Sequence, residues 1–434
     1  MLQRCSGDQR VCVVSTVPWC LVIFMGPHIK ALGLHCNVTI VTNGSAAPLG
    51  GEDSLSPLLD GQVRYLSLKI AREVSLFDDL LALMALLRLF RQEKFQIVHS
   101  ITPKAGLLAM IAGLLAGVPV RIHWFTGQVW ATRKGPGRWL LKTLDRLLAA
   151  CATHLLADSF SQRNFLIREG VVRSTQVTVL GQGSVCGVDT ARFQPNPVSC
   201  SKIRAGLGII DTAVVALYLG RLNSDKGIQE LASAFLLAAQ QHADLHLLLV
   251  GPDEGGMQLL VSQTLLTVAD RVHFASITNE PEAFMAAANF LILPSHREGF
   301  GTSVIEAAAC GIPTIGSRIY GLTDAIVDGE TGLLVSVGDV VGIADAMIRL
   351  AVDQDFRRTL GRQAFMRVKR DFNQEQLTGA LLDYYVRCLK LKRGGSGNSD
   401  SVVSGSLASP KSPRGGDIQE RGDEANTTES RGHV

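Results

Sequence analysis

The feature that most limits how this chain can fold is a repeated change of hydrophobic period. Short β-branched runs alternate with longer helical stretches, and no hairpin signal stands between them. In the first half the strand-like runs are 11–16, 38–42, 63–68, 97–100, 118–124, 154–157 and 176–180. Helical patterns fill the gaps at 21–34, 76–91, 103–116, 139–151 and 161–169. Strands that follow one another through helices pair in parallel, so this order predicts a doubly wound α/β sheet. The second half repeats the pattern, with strands at 213–219, 246–250, 272–275, 291–293 and 312–317. Helices are expected there at 228–241, 303–310, 340–353, 356–370 and 375–392. The 434 residues therefore divide into a first Rossmann-like domain (1–190) and a second (200–374). The stretch 187–200, with Pro195, Asn196 and Pro197, reads as the linker. From 393 to 434 Gly, Ser, Pro and mixed charge replace apolar periodicity, which predicts a disordered tail.

Composition excludes several classes. A net charge of +3, without an arginine-rich arm or an aromatic-interleaved basic patch, gives no case for nucleic acid. Nine scattered cysteines, with no C-x-x-C pair, predict reduced thiols in a cytoplasmic protein. Residues 11–29 carry no formal charge and have the length of a membrane segment, but Ser15, Thr16 and Pro18 interrupt them. They read better as strand, loop and helix. The uncharged run 105–120 contains Pro119 and reads as a buried helix followed by a strand.

Ligands on such sheets sit beyond the carboxyl ends of the strands. The richest strand end is LILPSHREGFGTSVIEAAACGIP, residues 291–313. A loop carries Glu298, Gly299, Phe300, Gly301 and Thr302, and a helix follows up to Cys310. Glu298 and Glu306 stand with seven residues between them. Carboxylates accept hydrogen bonds from sugar hydroxyls, while a helix N-terminus draws phosphate. Ser303 to Glu306 is also a capping box, in which Glu306 would only close its own helix. In GRLNSDKG, Arg221 and Lys226 flank a second strand-to-helix turn, where a diphosphate would be drawn. First-half strand ends offer His99, Thr102 and Lys104 as acceptor-side candidates, and His123 beside a reacting hydroxyl or sugar. A basic, Trp-containing stretch, TGQVWATRKGPG, leads into an amphipathic helix with Lys142 and Arg146, a pattern suited to a membrane surface.

EGFGTSVIEAAACGIP resembles the Glu-x7-Glu signature of family 4 glycosyltransferases, retaining enzymes of GT-B architecture. GRLNSDKG, GVDTARFQP and GETGLLV resemble further stretches of that family, and the likeness covers roughly 11–392. It implies two Rossmann-like domains facing a cleft, with the 375–392 helix crossing back to the first. It implies transfer from a nucleotide-sugar, expected to be UDP-linked, to a hydroxyl on a lipid-linked or polysaccharide acceptor of cell-surface glycan synthesis. In the roles so implied, Glu298 orients the donor sugar, Glu306 holds the ribose, Arg221 and Lys226 neutralise the diphosphate, and His123 lies against the reacting sugar. No Asp-x-Asp motif stands at a strand end, so neither metal nor cofactor is expected. Peripheral contact of the first domain with the inner face of the cytoplasmic membrane would fit a lipid-linked acceptor. Two departures matter. Val17-Pro18-Trp19 replaces the paired glycines many members carry after the first strand, and Ala275-Ser276 replaces a glycine near the nucleotide base. A sugar-nucleotide epimerase or phosphorylase of the same fold, or a non-catalytic sugar-nucleotide binder, remain the alternatives.

Overall fold

The computed structural model describes residues 9–45, 52–59, 61–71 and 75–393; the tail expected beyond residue 393 lies outside them. Two parallel sheets form the framework. The first contains β1 (Arg10–Val14), β2 (Asn37–Thr42), β3 (Val63–Ser67), β4 (Ile97–Ser100), β5 (Val120–Phe125), β6 (His154–Ala157) and β7 (Val177–Val179). Its spatial order is β3-β2-β1-β4-β5-β6-β7. The second contains β8 (Val214–Leu219), β9 (Leu245–Val250), β10 (Val272–Ala275), β11 (Phe290–Leu293), β12 (Thr314–Ser317) and β13 (Gly332–Val335), in the order β10-β9-β8-β11-β12-β13.

Side-chain alternation along each strand builds a core on both faces of the first sheet. Val11 and Val13 of β1 join one cluster with Val120, Ile122 and Trp124 of β5. Cys12 and Val14 join the other, with Phe125, under the helices Leu76–Glu93, Pro103–Leu115 and Gly135–Cys151. The uncharged run 11–29 is thus a buried strand and the helical turns after it. Among the described residues no helix is long and apolar enough to cross a membrane. The helix expected at 21–34 is broken into Pro18–Cys20, a wide π turn at Leu21–Met25, and Gly26–Gly33. Pro27 has no N–H to give to the preceding turn, so a regular ladder cannot run through it.

Two chain segments pass between the sheets, and they run side by side. Val188 N–H donates to the Phe372 carbonyl (2.8 Å), and Gln374 N–H donates to the Val188 carbonyl (3.1 Å). The helix Gln374–Arg393 then packs Leu377, Leu381 and Tyr385 into the first sheet's core beside the helix Gly26–Gly33. The expected linker is shorter than its composition suggested. Asn196 caps a helix, Pro197–Gly206, by accepting from Ser199 N–H at 3.0 Å. Asn at the cap with Pro next to it is a helix start as well as a loop signal.

Candidate active site

In a doubly wound sheet the ligand crevice opens where the strand order reverses. In the second sheet that point lies between β8 and β11. The turn after β8 carries Arg221 and Lys226; the loop after β11 carries Glu298. Gly227 closes the first turn with φ +69°, and a Cβ there would lie 2.2 Å from the Pro294 carbonyl oxygen. Only glycine lets the two loops approach so closely. Lys226 Nζ then pairs directly with Glu298 Oε1, which also accepts from Ser295 Oγ at 2.9 Å. Both side chains are largely shielded from water. Arg221 is held on another acid: its Nη1 donates to Glu254 Oε2 at 3.0 Å, and Asn223 Nδ2 donates to the same oxygen at 3.0 Å. The residues therefore bring two cations, two carboxylates and two helix starts to one switch point.

The helix Thr302–Ala309 begins at Gly301 with no side-chain cap, so Glu306 does not close it as a capping box would. Its carboxyl is raised to about 7, first by burial, with Arg192 opposing and Glu282 reinforcing. Phe300 is buried against Phe372, ring centroids 5.3 Å apart, so its backbone rather than its ring faces any ligand.

The first domain meets this loop through three neighbouring strand ends. After β5, Gly127 sits where a Cβ would be 3.1 Å from Gly299 N; after β6, Asp158 lies against Gly299; after β7, Gly183 receives the Phe300 ring. Ser159 Oγ donates to the Gly299 carbonyl at 3.5 Å. Further out, Asp324 accepts from Ser161 N–H and Oγ, and Gly321 N–H donates to Ser161 Oγ at 2.8 Å. An acid of one domain thus occupies the helix start of the other, Phe160–Arg168. Beside the Lys226 turn the domains leave a cavity of about 460 Å³, lined by Thr132 and Arg133 from the first and by Asp225, Gln229, Glu230 and His296 from the second.

Two expected site residues are not brought to this group. His123 is 1% exposed, and its Nδ1 is 2.9 Å from Ser100 Oγ. Its ring is enclosed under the helix Pro103–Leu115, where a Cβ on Gly106 would lie 2.5 Å from it. It shares strand parity with Phe125, so it points at the covering helices; burial lowers it to about 3. As placed, the ring is enclosed by core residues and is not among the groups gathered at the switch point. His99 is also buried: it stacks on Trp124 and its Nδ1 meets Tyr385 Oη at 2.5 Å, so it belongs to the core and not to a cleft edge. Thr102 stands at the first sheet's own switch point, between β1 and β4, bonded to Thr16 Oγ1 at 2.8 Å. Lys104 is paired with Asp79 at 2.6 Å. Sequence reading missed Asp158, Ser159, Ser161 and Asp324. The rule that singled out other strand ends applies equally to the end of β6 and would have found the first two.

These features define a two-domain GT-B architecture with its polar site in the interdomain cleft. Residues 28–183 match the glycosyl transferase 4-like domain, and residues 200–367 match glycosyl transferases group 1. A capsular polysaccharide biosynthesis glycosyltransferase of Staphylococcus aureus is 32% identical over 336 residues, 77% of this chain and 88% of that protein. A UDP-Gal:alpha-D-GlcNAc-diphosphoundecaprenol alpha-1,3-galactosyltransferase of Escherichia coli is 26% identical over 76% of this chain and 86% of its own length. Among solved structures, Anabaena HepE in complex with UDP and glucose superposes with a TM-score of 0.74 at 17% identity, covering 88% of this chain and all of that one. Sucrose-phosphate synthase from Thermosynechococcus elongatus gives 0.74 at 22% identity, over 88% of this chain and all of its own. The chain belongs to the group 1, or 4-like, glycosyl transferase family. It is a glycosyltransferase, and its solved neighbours share its fold.

Proposed function

We propose that this protein is a retaining glycosyltransferase that moves a sugar from a UDP-linked donor to a hydroxyl on a lipid-linked or polysaccharide intermediate of cell-surface glycan synthesis. The observation that carries this reading is the Lys226–Glu298 pair at the second domain's switch point, with Arg221 and the helix start at Thr302 around it. Arg221, Lys226 and that helix start neutralise the diphosphate as it leaves. Glu298 accepts hydrogen bonds from the donor sugar and gives up part of its hold on Lys226 to the phosphate. Glu306 faces the ribose. The sugar C1–O bond to phosphate breaks, the acceptor oxygen bonds to C1 on the same face, and the acceptor proton passes to the departing phosphate oxygen. Contact of Gly127, Asp158 and Gly183 with the Glu298 loop excludes water from the closed cleft and limits hydrolysis. In this reading His123 shapes the end of β5 from behind. The positive charge comes from side chains and backbone, so turnover is expected without added metal.

The lipid-linked acceptor is supported by the first domain's outer face. The helices Leu76–Glu93, Pro103–Leu115 and Gly135–Cys151 lie side by side on one face of the sheet. They expose Phe77, Leu80, Leu81, Trp139 and Leu140, and Arg133 and Lys134 are exposed next to them. Helices that cover a parallel sheet run against its strands, so the starts of the first and third helices lie on the cleft side. A bilayer touching them would present its headgroups to the cleft. The names of the S. aureus and E. coli relatives, a capsular enzyme and an undecaprenol-linked one, agree with such an acceptor.

The test is thermal stabilisation by nucleotides and nucleotide-sugars on wild type and Lys226→Ala. A ligand at 100 times its dissociation constant adds about 2.7 kcal/mol. UDP or a UDP-sugar is expected to stabilise the wild type and to do so much less in the variant, with or without a chelator. If no nucleotide shifts a well-folded wild type, the donor-site reading is lost.

A further inference from the structure

The Asp158 carboxyl lies where the first domain meets the Glu298 loop. Asp158 follows β6 directly and is 4% exposed. Its backbone is committed: the N–H donates to Gln162 Oε1 at 2.7 Å, and the carbonyl accepts from Ser184 N–H at 2.6 Å. On the side chain, Oδ1 is enclosed with no close hydrogen-bonding partner among the described residues, and Trp124 Nε1 faces the carboxyl as a donor that favours its charged form. Oδ2 lies against the loop that carries Glu298: a Cβ on Gly299 would be 2.5 Å from it.

Burying a carboxyl with so few partners is unfavourable, and an apolar side chain of similar size would avoid that cost. The carboxyl sits at a strand end, on the cleft side, with Oδ2 facing the second domain's ligand loop. A buried carboxyl in that position is what a ligand's hydroxyls would satisfy. Burial, opposed by Trp124, lifts the carboxyl to about 8. At neutral pH it therefore holds a proton and can both donate and accept, without setting a second negative charge beside Glu298 and a diphosphate.

We propose that Asp158 is a sugar-contacting residue supplied by the first domain, its cleft-facing carboxyl oxygen placed to meet a hydroxyl of the sugar seated over the Glu298–Gly299 turn. This rests on the reading that the turn holds a donor sugar. Because Asp158 and Gly299 are in contact, the domains separate to admit the sugar and close with it between them.

The experiment is calorimetric titration of the full chain with UDP and with UDP-glucose, UDP-galactose and UDP-N-acetylglucosamine, on wild type, Asp158→Asn and Asp158→Ala. UDP has no sugar to touch Asp158, so its affinity is expected to stay within about twofold in both variants. The best UDP-sugar is expected to bind at least about tenfold more weakly to Asp158→Ala, and Asp158→Asn, which keeps a donor and an acceptor, is expected to recover most of that loss. Should the alanine variant fail to fold, Asp158→Leu replaces it as a variant of similar size that cannot hydrogen-bond. The proposal is overturned if UDP-sugar and UDP affinities fall in parallel, if neither changes, or if Asn is as damaging as Ala. A wild type that binds no nucleotide at all would instead remove the donor-site reading, and this one with it.

Discussion

Asp158 and Glu306 lie on either side of one turn, and burial pushes both carboxyls up, to about 8 and about 7. In the unfolded chain both would titrate in the usual carboxylate range near 4. Between those values the folded protein holds protons that the unfolded chain has released, so stability falls as pH rises. This stabilisation is complete at or below about pH 4 and is lost as pH climbs through 7 to 8. The buried rings of His28, His99 and His123 are lowered to about 4, 3 and 3, chiefly by burial, and their contribution runs the other way, below about pH 6.5. Above about pH 6.5 these histidines no longer oppose the two acids. The buried thiols of Cys12, Cys186 and Cys310, raised by burial, add a loss of the same sign toward the free thiol range at about 8.5, so the comparison with Asp158→Asn is what singles out Asp158. Without ligand, the unfolding midpoint is expected to drop between about pH 6.5 and 8.5, and to drop less in Asp158→Asn. Thermal unfolding followed by circular dichroism across that range checks it; an equal drop in the variant would mean that Asp158 is already ionised when folded.

At the scale of elements, the helix Gln374–Arg393 is fastened to the first domain by a polar stack inside an apolar core. Trp124 lies between the rings of His28 and His99, with centroids 6.1 and 5.8 Å away. Thr378 Oγ1 meets His28 Nδ1 at 3.0 Å, His28 Nε2–H donates to the Val185 carbonyl at 2.7 Å, and Tyr385 Oη meets His99 Nδ1. Because His99 Nε2 is already unpartnered, Tyr385→Phe would strip the ring of its remaining hydrogen bond. The expected loss is about 1–3 kcal/mol of stability, with UDP affinity unchanged, read by chemical denaturation and calorimetry. An equal loss of affinity would mean that the stack reaches the cleft. The same stack shows why the sequence was legible only in part. The alternation that gave the strands, and the run from Glu298 to Glu306, are local patterns, and neighbouring residues determine them. The partners of His99 and the seat of the Glu298 loop come from strand ends far apart in the chain, which no short period encodes. A histidine after a β-branched run reads as a site residue, whereas His99 is covered by Tyr385 of the last helix, 286 residues further along the chain.

For the whole molecule, the arrangement separates three tasks. The second domain carries the groups suited to a charged donor, the first carries the outer apolar face, and the contacts of Gly127, Asp158 and Gly183 with the Glu298 loop bring the two into register. Such a division would make the proposed membrane contact independent of donor binding. Trp139 and Phe77 are 67% and 73% exposed on helices that start on the cleft side, and Arg133 and Lys134 precede the Trp139 helix. Aromatic rings at headgroup depth with adjacent cations bind anionic lipid surfaces, and each nearby cation contributes about 1 kcal/mol there. Sedimentation with vesicles is therefore expected to recover the protein with phosphatidylglycerol-containing lipid and much less with phosphatidylcholine alone, the difference shrinking in high salt. Replacing Lys134 by Gln is expected to weaken the sedimentation, and Trp139→Ser to weaken it further, while UDP affinity stays at the wild-type value. If both variants sediment as the wild type does, this face is not what meets the bilayer, and the acceptor must reach the cleft from solution.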